Sequence, residues 1–275
     1  MQAYSNSVRA EGKTISFVPT MGFLHQGHAS LLELGRKKAD VLVLSIFVNP
    51  SQFGVNEDLD AYPRNLEGDL AIAERCGVDA VFTPKPSDIY PEGYETYISL
   101  ESLPDHLCGL SRPGHFRGVA TVVAKLFNIV KPHFSFFGQK DFQQLAVIKR
   151  MVKDLDFDVD VIGAPIIREA DGLAMSSRNS YLKPDQRKSA LCLFEAIRMA
   201  EKMVSEGTKN ARDIISEAEK IISSRPEAVV DYLSVVNPDT FEDERILDKP
   251  CLFALAVKIG STRLIDNTVL VPTLG

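Results

Sequence analysis

Cysteine is scarce in this sequence. There are four in 275 residues, far apart at Cys76, Cys108, Cys192 and Cys251. They form no C-x-x-C pair and no metal-ligand cluster, so the chain is expected to be reduced and cytoplasmic, with buried thiols. A basic excess is lacking too. Lys and Arg number 31 against 37 Asp and Glu, for a formal net charge of −6. A nucleic-acid binder would usually carry a basic face, so no nucleic-acid partner is expected. Long apolar runs are missing: the longest, Val41–Val48, is too short to span a bilayer. Residues 1–7 hold no apolar stretch, so neither a signal peptide nor a membrane partner is expected. There is no internal repeat and no low-complexity segment. The patterns G-x-x-x-x-G-K-[ST] and G-x-G-x-x-G are both absent, which excludes a P-loop enzyme and an ordinary dinucleotide binder. No Ser-His-Asp nucleophile set is evident.

What is present is a chain with enough apolar residues, 45%, for a real core in one large domain or two modest ones. Residues 7–11 close a short helix and Ile15–Val18 reads as a buried strand. Val41–Val48 is apolar on both faces, the mark of a central parallel strand. A helix over Leu66–Cys76 is stopped by Gly77, and Val78–Phe82 is another strand. Thr83–Phe116 is rich in Pro, Gly and Tyr and has no clear period, which suits a functional loop or lid. A helix from Val119 ends before Pro132. Phe134–Phe137 is a strand, Gln144–Leu155 a helix, and Val159–Ile162 a further strand. This alternation predicts an α/β fold with a doubly wound, Rossmann-like parallel sheet. After Arg178 the texture changes. One long helix is expected from Pro184 to about Ser205, then a second ended by Pro226. Strands follow at Val229–Val236, Leu252–Ile259 and Arg263–Leu270. That order predicts two domains, residues 1–178 and a smaller α+β domain over 179–275.

The chain is organised around Val18-Pro19-Thr20-Met21-Gly22-Phe23-Leu24-His25-Gln26-Gly27-His28. A strand runs into a helix here. The helix N-terminus gathers unpaired N–H groups and partial positive charge, so it is an anion site before any side chain is added. His25 and His28 are three apart, a spacing that can bring both imidazoles to one point. By itself the motif reads equally as a capped loop with two surface histidines.

Three more loops leave the C-terminal ends of predicted strands: Asn49–Phe53, Gly138–Asp141 and Ile167–Arg178. In a doubly wound sheet they converge with the histidine turn on one cleft. Their side chains suit a polyphosphate and a small polar acid. Each has a plain alternative: Lys140-Asp141 as a surface pair, Ser176-Ser177-Arg178-Asn179 as a helix cap, Gln52 as a turn residue, His115 as a loop residue, and Phe136-Phe137 as core.

The conjunction is sharper. P-T-M-G-x-L-H-x-G-H at 19–28, F-V-N-P-x-Q-F at 47–53, D-L-x-x-Y-P-R at 58–64, S-R-P-G-H-F-R-G-V at 111–119, F-F-G-x-K-D-F-Q-Q-L at 136–145 and R-E-A-D-G-L-A-M-S-S-R-N at 168–179 occur in that order. Over nearly its whole length the chain resembles the pantoate–β-alanine ligases. There are two departures. The usual first strand and part of the first helix are shortened or missing before Lys13, and Gln139 stands where Glu is more common.

The resemblance implies ATP-dependent joining of pantoate and β-alanine into pantothenate, with AMP and pyrophosphate released, through a pantoyl adenylate. It implies His28, His25, Lys140 and Arg178 as catalytic residues. The ATP site would comprise Met21, Gly22, His25, His28, Gly138, Lys140, Asp141, Ile167, Met175, Ser176, Ser177 and Arg178. Gln52 and Gln144 would bind pantoate or β-alanine. Mg²⁺ would accompany ATP, with Asp69 as a direct or water-mediated partner. A homodimer is implied, and a C-terminal domain that closes as a lid. Rival readings are another nucleotidylyltransferase, a tRNA synthetase fragment and a silent nucleotide-binding homologue.

Overall fold

The computed structural model describes residues 1–55 and 57–272. The chain divides into two compact units. The first comprises Met1–Glu101, Arg112–Gln139 and Gln143–Ile166. The second takes Ser102–Ser111, Lys140–Phe142 and everything from Ile167 onward.

In the first unit, α1 (Gln2–Ala10) leads to β1 (Ile15–Thr20), α2 (Gln26–Lys38) and β2 (Val41–Ile46). Next come α3 (Leu66–Arg75), β3 (Ala80–Phe82) and the single turn α4 (Pro86–Ile89). The order of strands is β3-β2-β1-β4-β5, where β4 is Phe134–Gly138 and β5 is Asp160–Ala164. All pairings are parallel, with Ile15 opposite Val41 and Phe134 opposite Asp160. This is the doubly wound fold that the alternation predicts. The direction of winding reverses between β1 and β4, so their C-terminal ends flank the switch point where such sheets bind ligands.

Central strands buried on both faces need continuous apolar residues. Val18, Leu42 and Leu44 supply them, and Leu24, Leu31, Leu32 and Phe136 pack around them. Burying a side chain such as Leu32 fully contributes about 2 kcal/mol. The N-terminal helix closes at Glu11, within the stretch expected to close it. Its Arg9 donates to the Lys131 carbonyl and Lys131 donates back to Asn6, which ties α1 to the end of α6 (His115–Val130).

The second unit is an antiparallel sheet, β6 (Ala228–Val236), β7 (Cys251–Ile259) and β8 (Thr262–Leu270), covered by helices. It includes α5 (Leu107–Ser111), so the expected loop over 83–116 contains α4, a 3₁₀ turn at Leu103–Asp105 and α5, and is shared between the units. The expected long helix breaks at Leu191 into α8 (Pro184–Ala190) and α9 (Cys192–Ser205). With α10 (Ala211–Ser223) these pack Leu193, Ile197, Ile214 and Ile222 against Phe253, Leu255 and Val257. The long C-terminal stretch of the second unit begins at Ile167. The reason is local: Arg168 pairs with Asp266 and lies over the Phe194 ring, both within the second unit.

Candidate active site

The turn after β1 is built by its neighbours. Thr20 Oγ1 donates to the Ser45 carbonyl and accepts from the Gly22 N–H. Gly22 has φ +83°, and a Cβ there would lie 2.9 Å from Ile46 Cγ2 and 3.0 Å from Asp69 Oδ2. Only glycine fits such a position without strain. Phe23 follows with φ +51°, uncommon for a bulky residue. Asp69 holds it there: its carboxylate accepts from Phe23 N at 2.9 Å and from Leu24 N at 2.6 Å. Asp69 is 2% exposed, in the first turn of α3, where a negative charge is favoured.

Asp69 is committed to the backbone of the turn, and direct ligation of Mg²⁺ would compete with two buried N–H groups. Among the described residues no group of three or more His, Cys, Asp or Glu could hold a metal ion.

His25 is the N-cap of α2. Its Nδ1 accepts from Gly27 N at 3.1 Å, and His28 Nδ1 accepts from His25 N at 3.3 Å. The rings are 4.1 Å apart between centroids. An Nδ1 that accepts carries no proton, so in each neutral ring the proton sits on Nε2. The sequence spacing places both rings at one helix entrance. The reciprocal capping that sets their tautomer required the structure.

Gln52, in the 3₁₀ turn Pro50–Gln52, is buried. Asn49 Nδ2 donates to its Oε1 at 3.1 Å and to the Gly118 carbonyl at 3.2 Å. Asn49 Oδ1 accepts from Ser51 N and Tyr90 OH. One backbone donor and one backbone acceptor thus leave a single orientation for the Asn49 amide. Gln52 must then turn its Nε2 the other way, to Met21 Sδ at 3.0 Å. The turn can approach α6 this closely because residue 118 is glycine; a Cβ there would collide with the Ser51 carbonyl. His115 Nδ1 also meets the Gln52 carbonyl, at 2.8 Å, and Arg112 bridges His115 to Glu57. Burial pushes the Glu57 carboxyl up, but the Arg112 hydrogen bonds and charge outweigh it and hold it below the ordinary range. Sequence reasoning assigns no role to Asn49, Tyr90, Arg112 or Glu57. The quoted motifs contain Asn49 and Arg112, but Glu57 and Tyr90 carry no local signal.

The first unit therefore gathers Met21, Gly22, His25, His28, Gln52 and Asp69. Gly138 ends β4, and Gln144 lies half-buried in the first turn of α7 (Phe142–Asp154). The second unit carries Lys140, Asp141, Ile167, Met175, Ser176, Ser177 and Arg178. There the chain folds back on itself: Met175 N donates to the Ile167 carbonyl, and Glu169 N to Leu173 O. Ser176 Oγ caps the following 3₁₀ turn through Arg178 N. Arg187 clamps Glu169 and Asp171. For both carboxyls burial acts upward, and the Arg187 hydrogen bonds reverse it to a net lowering. Lys140 Nζ lies 3.9 Å from Asp141.

The family model for pantoate-beta-alanine ligase matches residues 1–269. The pantothenate synthetase of Desulfatibacillum aliphaticivorans is 60% identical over 272 residues, which cover 99% of this chain and 97% of the relative. That of Geobacter sulfurreducens is 55% identical over 270 residues, 98% of this chain and 95% of the relative. The crystal structure of pantothenate synthetase from Thermus thermophilus superposes with a TM-score of 0.93 at 42% identity, covering 98% of both chains. Pantoate-beta-alanine ligase from Francisella tularensis, complexed with beta-gamma ATP and beta-alanine, gives 0.81 at 35% identity, covering 97% of this chain and 95% of that one. The chain belongs to the pantoate–β-alanine ligases, enzymes that form pantothenate from pantoate and β-alanine.

Proposed function

We propose that the reaction runs on MgATP in two steps through a pantoyl adenylate. In the first, a pantoate carboxylate oxygen attacks the α-phosphorus of ATP, the bond to the bridging oxygen breaks, and pyrophosphate leaves. In the second, the β-alanine amine attacks the acyl carbon. The acyl–phosphate bond breaks, AMP leaves, and the amine loses a proton.

The observation that carries this reading is the pair of imidazoles at the α2 N-terminus. Their capping places the neutral-ring protons on Nε2, as donors suited to phosphate oxygens. In this reading His25 and His28 stabilise the charge that builds on the phosphates, and His28 also donates a proton. Lys140, Ser176, Ser177 and Arg178 add donors and positive charge. Met21 and the Gly22 backbone line the nucleotide, Gly138 and Asp141 face the ribose, and Ile167 and Met175 contact the adenine side. Gln52 offers pantoate a donor, and Gln144 a second neutral amide. A neutral partner orients the attacking carboxylate without the tight ion pair that would blunt it. Mg²⁺ neutralises the phosphates as part of the substrate, and Asp69 reaches it at most through water.

The homodimer and the cytoplasmic location belong to this proposal. Among the described residues no helix is long and apolar enough to cross a membrane. Light scattering at micromolar concentration should return twice the chain mass; the mass of a single chain would remove the dimer.

AMP release with ATP, Mg²⁺ and pantoate, with and without β-alanine, tests the chemistry. AMP should appear only when both organic substrates are present, while exchange of labelled pyrophosphate into ATP should need pantoate alone. AMP formed from ATP and β-alanine without pantoate would overturn the sequence of steps.

A further inference from the structure

Two consecutive residues of β8, Asp266 and Asn267, are buried at 2% and 7% exposure. Consecutive strand residues face opposite sides of a sheet. The Asp266 side shares its parity with Leu264 and Leu270, which belong to the core of the second unit. A carboxylate among such residues is costly unless paired.

Each side chain has a specific partner. Asp266 takes Arg168 through both oxygens, at 2.6 and 3.0 Å, and also accepts the Asn267 N–H at 2.8 Å. Burial pushes the Asp266 carboxyl up, against the pull of Arg168. Arg168 in turn donates to the Gly172 carbonyl and stacks over Phe194, 4.7 Å from the ring centroid. It thereby shapes the loop whose return leg delivers Met175 and Ser176. On the other face of the strand, Asn267 Nδ2 donates to the Lys140 carbonyl at 2.8 Å, across 127 residues of sequence. The two segments that present Lys140 and the Ser176–Arg178 turn are thus fastened to adjacent positions of one strand. A bidentate guanidinium and a directional amide bond fix geometry more closely than apolar packing does.

We infer that Asp266 and Asn267 are positioning residues for the phosphate-binding side chains of the second unit: Asn267 sets the Lys140 backbone, and Asp266, through Arg168, sets the Ser176–Arg178 turn. This rests on the proposed assignment of Lys140 and Ser176–Arg178 to the ATP phosphates. Neither is assigned to ATP itself; each acts through its neighbour.

The test is a double-mutant cycle on the intact protein, read as kcat/KM for ATP at saturating pantoate and β-alanine. Asn267→Ala should lower it about tenfold in the native background and less than twofold in Lys140→Ala. KM for pantoate and the melting temperature should change little. Asn267→Asp, which sets an acceptor against the Lys140 carbonyl, should match or exceed the loss. Asn267→Ser, which keeps a donor, serves if Asn267→Ala folds poorly and should recover part of the activity. An equal fall in both backgrounds, or no fall in either, would overturn the inference and leave the role of Lys140 intact. Full activity in Lys140→Ala would overturn both.

Discussion

Asp69 and Leu24 are 45 residues apart, yet the Asp69 carboxylate accepts the Leu24 N–H at 2.6 Å, one residue before the N-cap of α2. With the bond to Phe23, it makes one buried side chain responsible for the path of the chain into the histidine pair. Asp69→Ala would leave two buried N–H groups unpaired, at roughly 1–3 kcal/mol each when no water replaces the partner. Urea unfolding should show a loss of about 2–4 kcal/mol, with turnover falling alongside. Unchanged stability would mean that the turn keeps its shape without the carboxylate.

His28→Ala removes the acceptor of the His25 N–H and one Nε2 donor. Loss of a cap costs about 1 kcal/mol. Loss of a donor to developing phosphate charge should cost roughly 10²–10³ in kcat. The two effects separate in paired measurements of melting temperature and pyrophosphate release. A large loss of stability with normal turnover per folded molecule would reverse the assignment.

The polarity of the Gln52 amide makes a sharper claim. Asn49→Asp replaces the donor to Gly118 and to Gln52 with an acceptor, so Gln52 should turn its amide around and present oxygen to the substrate. KM for pantoate should rise roughly tenfold or more, the size of one lost hydrogen bond to a charged group. KM for ATP should stay within twofold. Equal changes in both would show that the turn had collapsed, not that its polarity had reversed.

Glu57, Glu169 and Asp171 all have carboxyls lowered from their ordinary values by arginine partners. A carboxyl lowered in the folded state adds stability above its unfolded pKa and loses it as pH falls through the folded value. Stability should therefore be level above about pH 5 and decline as the pH is taken lower. In Glu169→Gln the decline should be shallower, while at neutral pH the variant is the less stable. A steeper decline in the variant would contradict the sign of the shift.

Chelation with EDTA offers a further contrast. Turnover should stop, because the phosphates lose their counter-ion. The melting temperature should stay the same within error, since the described residues provide no cluster to hold an ion. A fall in melting temperature would reveal a resident metal.

Much of this protein is legible along the chain. The β1–α2 and β2 elements follow from apolar runs and helical spacing, and the turn at Gly22 from a residue type that tolerates positive φ. The histidine motif and the segments around Gln52, Lys140 and Ser176–Arg178 are local in sequence, and family resemblance attaches to local patterns. Element ends are less legible. The break at Leu191 lies within a continuous amphipathic pattern, and the tie between Arg9 of α1 and the Lys131 carbonyl spans 122 residues.

The sequence by itself determined the class of sheet, the order of its strands and helices, and the chemistry available at their ends, because periodicity and turn residues act over a few positions. Tertiary structure alone decided which atom does what. It committed the Asp69 carboxylate to the backbone of the turn and set each Nδ1 of His25 and His28 against a backbone N–H. It aimed the Gln52 amide, and it joined Lys140–Phe142 to the second unit. Each of these depends on hydrogen bonds or packing that the folded chain completes, many between residues tens of positions apart, and such contacts leave no period in the sequence.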